Sequence, residues 1–165
     1  MKFSQLNMPP ADSIGDAKNI ETDALDAIKI LDQIGRRSLD STTFADAQYY
    51  LPEFEDKQHS CFVTRDADGD ICAAADYIQY NDHAYIQHFA VDRAYRGLGV
   101  GASFMDYLGR VTHDRGLGFI ALQSVSSAVG FYRKVGFKEH GEQHHPAMPI
   151  MRKSTIYADS NFVVS

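Results

Sequence analysis

Arg96-Gly97-Leu98-Gly99-Val100-Gly101-Ala102 is the stretch from which the rest of this chain can be read. Before it, residues 84–91 form an apolar run with the look of a strand. After it, Val100, Phe104, Leu108 and Val111 stand at steps of four, four and three, the spacing of one helix face, and Gly116 supplies the stop. Three glycines in five residues let the backbone turn its N–H groups toward one point, because no Cβ blocks a close ligand. At a helix N-terminus those donors lack acceptors and sit at the positive end of the macrodipole, which suits an anion such as a pyrophosphate. Arg96 adds a charge and a fork of donors.

Moving outward from the loop, a strand–turn–strand pattern precedes it. Residues 60–65 and 71–80 read as strands joined by Asp66-Ala67-Asp68-Gly69, whose Asp-Gly pair suits a tight turn, and Asn81-Asp82 turns the chain again. Beyond the helix, Phe119–Gln123 reads as a short buried strand. Residues 126–134 read as a short helix with serine at its start and Gly136 at its end, and residues 137–143 and 149–157 as the last strands. Earlier, Thr22-Asp23 opens a segment in which Leu25, Ile28, Ile30, Leu31 and Ile34 recur at helical spacing up to Gly35; a weaker helix is expected from Ser41 or Thr42 toward Tyr50, before Pro52. Residues 1–17, with Pro9-Pro10 and Gly15, show no sustained period and are expected to be a loosely ordered leader or a flap on the substrate side. Antiparallel hairpins followed by strand–helix–strand units indicate an α+β fold with helices on both faces of the sheet.

The composition sets limits on function. A chain of 165 residues, 44% of them apolar, is of a size for one compact domain, 1–165, that buries about 70% of its unfolded surface. With 16 basic and 22 acidic residues, the net charge is −6, which argues against nucleic acid and against a polybasic membrane patch and mildly favours a cationic substrate. No run approaches the length of a membrane span and the opening residues lack a signal-peptide pattern, so a cytoplasmic location is expected. Cys61 and Cys72 fall in apolar strands and read as small core residues, too few for a disulfide framework or a zinc site. The seven histidines form no metal-ligand pattern, the His144-His145 pair included, and no metal is expected.

Gly97, Gly99 and Ala102 also fit the G-x-G-x-x-A form of a dinucleotide-binding fingerprint. That motif requires an acidic residue about 20 positions on to hold a ribose, where Leu122 and Gln123 stand here. The glycines also begin six residues after Val91 rather than at the strand end. A nicotinamide-dependent enzyme is therefore disfavoured, and a Walker loop is excluded because no Gly-Lys-Ser/Thr follows.

Three segments in order, YIQHFAV (residues 85–91), RGLGVGA (96–102) and AVGFYRKVGF (128–137), resemble those of the GNAT superfamily of N-acetyltransferases; the match extends well over about residues 60–140. The resemblance implies a mostly antiparallel twisted sheet of about six or seven strands, splayed in the middle and flanked by about four helices. It implies acetyl-coenzyme A as cosubstrate, with the pantetheine arm hydrogen-bonded like an added strand to main-chain groups near Phe89, Ala90 and Val91. The pyrophosphate would lie on the amides from Gly97 to Ala102, beside Arg96. A main-chain N–H, taken at Phe89, would stabilise the developing oxyanion. Tyr132, which by itself reads as an aromatic core residue beside Phe131 and Val135, takes the family's general-acid role toward the leaving thiolate.

The chain departs from the family pattern at two places. Many relatives carry a glutamate on the strand before the loop as base for the incoming ammonium, and YIQHFAV has none. Alternation puts Tyr85, Gln87 and Phe89 on one face and His88 on the other, so the base is left to Tyr85, to a residue elsewhere such as Asp76, or to water, with His88 a less favoured candidate. Where many relatives carry an asparagine, this chain has Val125, so a polar contact to the coenzyme falls to Ser126 or Ser127. The acceptor would be a small-molecule or peptide amine, in a pocket to which Asp76, Tyr77, Gln87, Gln143, His144 and His145 could contribute. A homodimer through a sheet edge or the last strand is in keeping with the class. The competing reading within the family is a catalytically weak coenzyme A-binding sensor, favoured by the missing glutamate and opposed by Tyr132.

Overall fold

The computed structural model describes residues 1–6, 26, 30, 59–141 and 148–155. Seven strands form one sheet: β1 (Lys2–Leu6), β2 (His59–Arg65), β3 (Ile71–Gln79), β4 (His83–Val91), β5 (Phe119–Gln123), β6 (Lys138–Glu139) and β7 (Ile150–Ser154). Their order is β1-β2-β3-β4-β5-β7-β6, and every pairing is antiparallel except β4 with β5. That parallel pair is bridged by helix α1 (Val100–Asp114); a second helix, α2 (Val129–Lys134), follows a 3-10 turn at Ser126–Ala128. The mostly antiparallel α+β sheet expected from the sequence is therefore present. Among the described residues no helix is long and apolar enough to cross a membrane.

The central strand β3, ICAAADYIQ, is buried along nearly its whole length, as befits a strand covered on both faces. Its Tyr77 faces α1: the phenol pairs with Thr112 Oγ1 at 3.1 Å, and Thr112 donates to the Leu108 carbonyl at 2.7 Å. The inward row of α1 is accordingly Val100, Phe104, Leu108 and Thr112, with Met105 beside it. Val111, expected in that row, is only half-buried; a threonine takes the position because its hydroxyl is satisfied on both sides. Cys61 and Cys72 are both fully buried and free.

Three further expectations need correction. The opening residues are not all a loose leader: Lys2–Leu6 pairs with β2 in register from Lys2–Arg65 to Leu6–Cys61. Leu6 is buried and Phe3 stacks on Tyr107 at 4.8 Å, which anchors an edge strand too short to show a period. The serine expected to cap the short helix makes no capping bond; Val125 and Ala128 occupy the N-cap positions. Of the strand expected at 137–143, only Lys138–Glu139 is paired among the described residues, with Gly136 and Gly141 both at positive φ. The two expected early helices fall almost wholly outside the described residues; Asp26 and Ile30 are helical, Ile30 buried. Gln143, His144 and His145 also lie outside them.

Candidate active site

β4 and β5 run together only from His83–Phe119 to Ile86–Leu122. Past Ile86, β4 continues to Val91 along β3 while β5 ends at Gln123, so the two strands part and leave a gap in the middle of the sheet. A cleft of about 620 Å³ opens there, lined by the Phe89-Ala90-Val91 end of β4, by Tyr95 and the glycine loop, and by Ser127, Phe131, Tyr132 and Lys134 on the α2 side. A smaller cleft of about 110 Å³ lies between Gln87 and His88 on β4 and Gln123 at the end of β5 with Ser124 just after it. Phe89, Ala128 and Tyr132 line both.

The glycine loop has the form of an anion cradle. Gly97 and Gly99 adopt φ of 77° and 80°, left-handed backbone that favours glycine, and a Cβ on either would meet nothing within 4 Å. Gly99 is the N-cap of α1, with no side chain capping the helix and no acidic residue in its first turn. The first helical bond runs from Ser103 N to Gly99 O at 3.0 Å, so the amides of Val100, Gly101 and Ala102 precede the intrahelical ladder. Arg96 donates Nε–H to the Val91 carbonyl at 2.9 Å, which ties the loop back to β4. Arg96 and Lys134, both exposed, put two cations on the rim. Unclaimed helix amides, open glycine backbone and two cations fit a diphosphate ester.

The wall across from the loop is aromatic. Phe131 stacks on Phe89 at 6.2 Å and meets Tyr132 edge-on at 5.1 Å; Tyr132 meets Phe137 the same way at 5.5 Å. Burial pushes the Tyr132 phenol up to about 12, because a phenolate there would lose its water. Its hydroxyl makes no hydrogen bond with the described residues. Tyr95 donates to Asp66 Oδ2 at 2.5 Å, so the β2–β3 turn braces the cleft. That bond raises the Tyr95 phenol to about 12 and lowers the Asp66 carboxyl.

A register shift between Asp76 and Tyr77 alters the faces that simple alternation assigns. Tyr77 pairs with Ile86 and Asp76 with His88, so Gln87 is the extra residue of a β-bulge. The bulge returns Phe89 to the α1 side, where it meets Phe104 at 5.7 Å, and brings His88 to the face of Tyr85 and Asp76. The expectation that Tyr85, Gln87 and Phe89 share a face opposite His88 is therefore corrected. Asp76 is fully buried and accepts from two imidazoles, His59 Nδ1 on Oδ1 and His88 Nδ1 on Oδ2, each at 3.3 Å.

Of the residues singled out from sequence, the larger cleft gathers Phe89, Ala90, Val91, Arg96, Gly97, Gly99, Val100, Gly101, Ala102, Ser127 and Tyr132. Gln87 and His88 line the smaller one. Leu98 projects to solvent, 68% exposed, and it and Ser126 lie outside both linings, as do Asp76 and Tyr85. Tyr95, Phe131 and Lys134 were not anticipated. Lys134, two residues after Tyr132 in an acidic chain, carried a readable signal; the Tyr95–Asp66 bond, spanning 29 positions, did not.

The model of the acetyltransferase (GNAT) family matches residues 29–137. A glucosamine 6-phosphate N-acetyltransferase of Trypanosoma brucei brucei is 32% identical over 59 residues, 36% of this chain and 40% of that protein; the match thus spans about two fifths of that relative's length. Among solved structures, Tetrahymena GCN5 superposes with a TM-score of 0.68 at 15% identity, covering 94% of this chain and 96% of its own. An aminoglycoside 6'-N-acetyltransferase complexed with coenzyme A does so with a TM-score of 0.68 at 17% identity, covering 95% and 98%. These two likenesses concern the fold.

Proposed function

The chain belongs to the acetyltransferase (GNAT) family, and from that premise we propose that it transfers the acetyl group of acetyl-coenzyme A to a primary amine of a small molecule or peptide. The observation that carries this reading is the larger cleft, which runs from the uncapped N-terminus of α1 past the Phe89–Val91 end of β4 to Tyr132.

In this reading the amides from Gly97 to Ala102 take the pyrophosphate, with Arg96 and Lys134 supplying countercharge. The Phe89–Val91 end of β4, which pairs with β3 on one side and has no β5 partner on the other, offers main-chain groups to the pantetheine amides, and Ser127 lies within the same lining. The Phe89 N–H serves the developing oxyanion. Asp76, Tyr85 and Gln87 belong to the acceptor side, Gln87 by lining the smaller cleft and the other two by lying on the face behind it.

Tyr132 is the proton donor to the leaving thiolate. A phenol raised to about 12 stays protonated throughout the neutral range, but giving its proton to a thiolate of ordinary acidity, about 8.5, is uphill on its own. The transfer runs downhill when the amine nitrogen, positively charged once bonded to the acetyl carbon, refills the phenol. Tyr132 thus works as a bridge between nitrogen and sulfur rather than as a free-standing acid.

The second reading is a coenzyme A-binding sensor of low activity, which the lack of a carboxylate on β4 and the weak acidity of Tyr132 favour. Calorimetric titration with acetyl-coenzyme A, with NAD as control, tests the shared premise: one saturable site for the first and none for the second is expected. Binding of NAD alone refutes both readings.

A further inference from the structure

We infer that His88, held by Asp76 and His59, is the general base that takes the proton from the acceptor ammonium; this rests on the amine acetyltransferase reading above. The β-bulge at Gln87 turns His88 onto the face of Asp76 while leaving it in the lining of the smaller cleft, which Tyr132 also lines. An acceptor amine in that cleft lies between the two.

The chemistry follows from the hydrogen bonds. A carboxylate only accepts, so each imidazole presents Nδ1–H to Asp76, through Oδ2 for His88 and Oδ1 for His59. With its proton fixed on Nδ1, a neutral His88 has Nε2 as its proton-accepting atom. Asp76 has no exposure to water, so it needs the two imidazoles as its hydrogen-bonding partners, and it stabilises the imidazolium once His88 takes a proton. His59 keeps the second carboxylate oxygen occupied, which fixes the carboxylate plane. Asp76 and His59 are positioning residues; His88 is the one that reaches the substrate.

The proton and electron count closes. An N–H bond of the ammonium breaks and Nε2–H forms on His88. The freed lone pair bonds to the acetyl carbonyl carbon, the carbon–sulfur bond breaks, and the second nitrogen proton passes through the Tyr132 hydroxyl to the thiolate. His88 then gives its proton to solvent, with its side chain 21% exposed. Among the described residues, the titratable groups facing His88 are Asp76 from β3, His59 from β2 behind it, Tyr85 on its own face of β4 and Tyr132 across the cleft. Cys61 pairs with Asp76 in the register; its thiol is pushed up to about 12 by burial first and Asp76 second, so it stays neutral.

The test is His88→Gln, measured beside the wild type for acetyl-coenzyme A affinity and for amine-dependent thiol release across pH. The expected result is unchanged coenzyme affinity, kcat/KM lower by about 10²–10³ at neutral pH, and loss of the acid limb of the pH profile. Added imidazole is expected to restore part of the rate to His88→Gly. Because Asp76→Asn removes a buried charge and is at risk of misfolding, the tautomer is read separately: ¹⁵N NMR of the wild type is expected to show His88 protonated on Nδ1, a readout independent of turnover. An unchanged kcat/KM and acid limb in His88→Gln, or an Nε2–H tautomer, overturns the assignment. A wild type that binds the coenzyme yet releases thiol with no amine overturns the parent reading instead, and the relay with it.

Discussion

A Cβ placed on Gly101 would come within 3.2 Å of Phe131 Cζ and 3.4 Å of Val91 Cγ2. The helix that carries the anion cradle is thus packed directly against the aromatic wall of the cleft. Gly101→Ala gains up to about 1 kcal/mol of helix propensity and loses a similar amount by displacing Phe131. The melting temperature is therefore expected to stay near that of the wild type, while acetyl-coenzyme A affinity falls several-fold as Phe131 shifts into the cleft. Thermal unfolding with and without ligand checks both halves.

Gly99 gives the opposite combination. Its Cβ position is open and it caps α1 at φ 80°, so aspartate or asparagine fits at the cost of left-handed backbone, which both tolerate better than most residues. Gly99→Asp is expected to fold and to lose coenzyme binding by at least tenfold more than Gly99→Asn. Equal losses in calorimetry would mean that bulk rather than charge governs the loop and would refute the pyrophosphate assignment.

Tyr132→Phe removes only the hydroxyl. Turnover is expected to fall about 10²-fold or more with coenzyme affinity within twofold of wild type, since the ring contacts to Phe131 and Phe137 remain. Single-turnover thiol release separates the two.

The same substitution has a pH signature. The phenol titrates near 10 unfolded and about 12 folded, so the folded state holds the extra proton between those values. Stability from this group is complete below pH 10 and is lost as pH rises toward 12. Urea midpoints taken from pH 9 to pH 11.5 are expected to fall less steeply in Tyr132→Phe than in the wild type. Some slope remains in the variant, because Cys61 and Tyr95 are also raised to about 12.

Much of the fold was open to reading from the chain itself because its signals are local. The Asp-Gly turn after β2, the step-of-four row of α1 and the glycine loop each depend on residues within one or two turns of each other, and they appear where expected, save that Thr112 rather than Val111 closes the α1 row. What escaped depended on pairing between strands. The bulge at Gln87 arises from the register of β4 on β3, and without it strict alternation sends His88 and Phe89 to the wrong faces. The contact of Asp76 with His59 and His88 joins residues 17 and 12 positions apart and has no spacing signature. β1 is five residues long and is set by Phe3 finding Tyr107 and Phe104 on α1. For the site, the glycine loop and Tyr132 were legible; Tyr95 and Phe131 were not, since their place in the cleft follows from tertiary packing.

The most direct test of the central claim is thiol release from acetyl-coenzyme A by the purified protein, with a panel that includes an amino sugar phosphate, an aminoglycoside, a polyamine and a peptide with a free N-terminus. Saturable release that depends on at least one of these amines and collapses in Tyr132→Phe is expected. Release that is independent of every amine, or equal in the wild type and Tyr132→Phe, would contradict it.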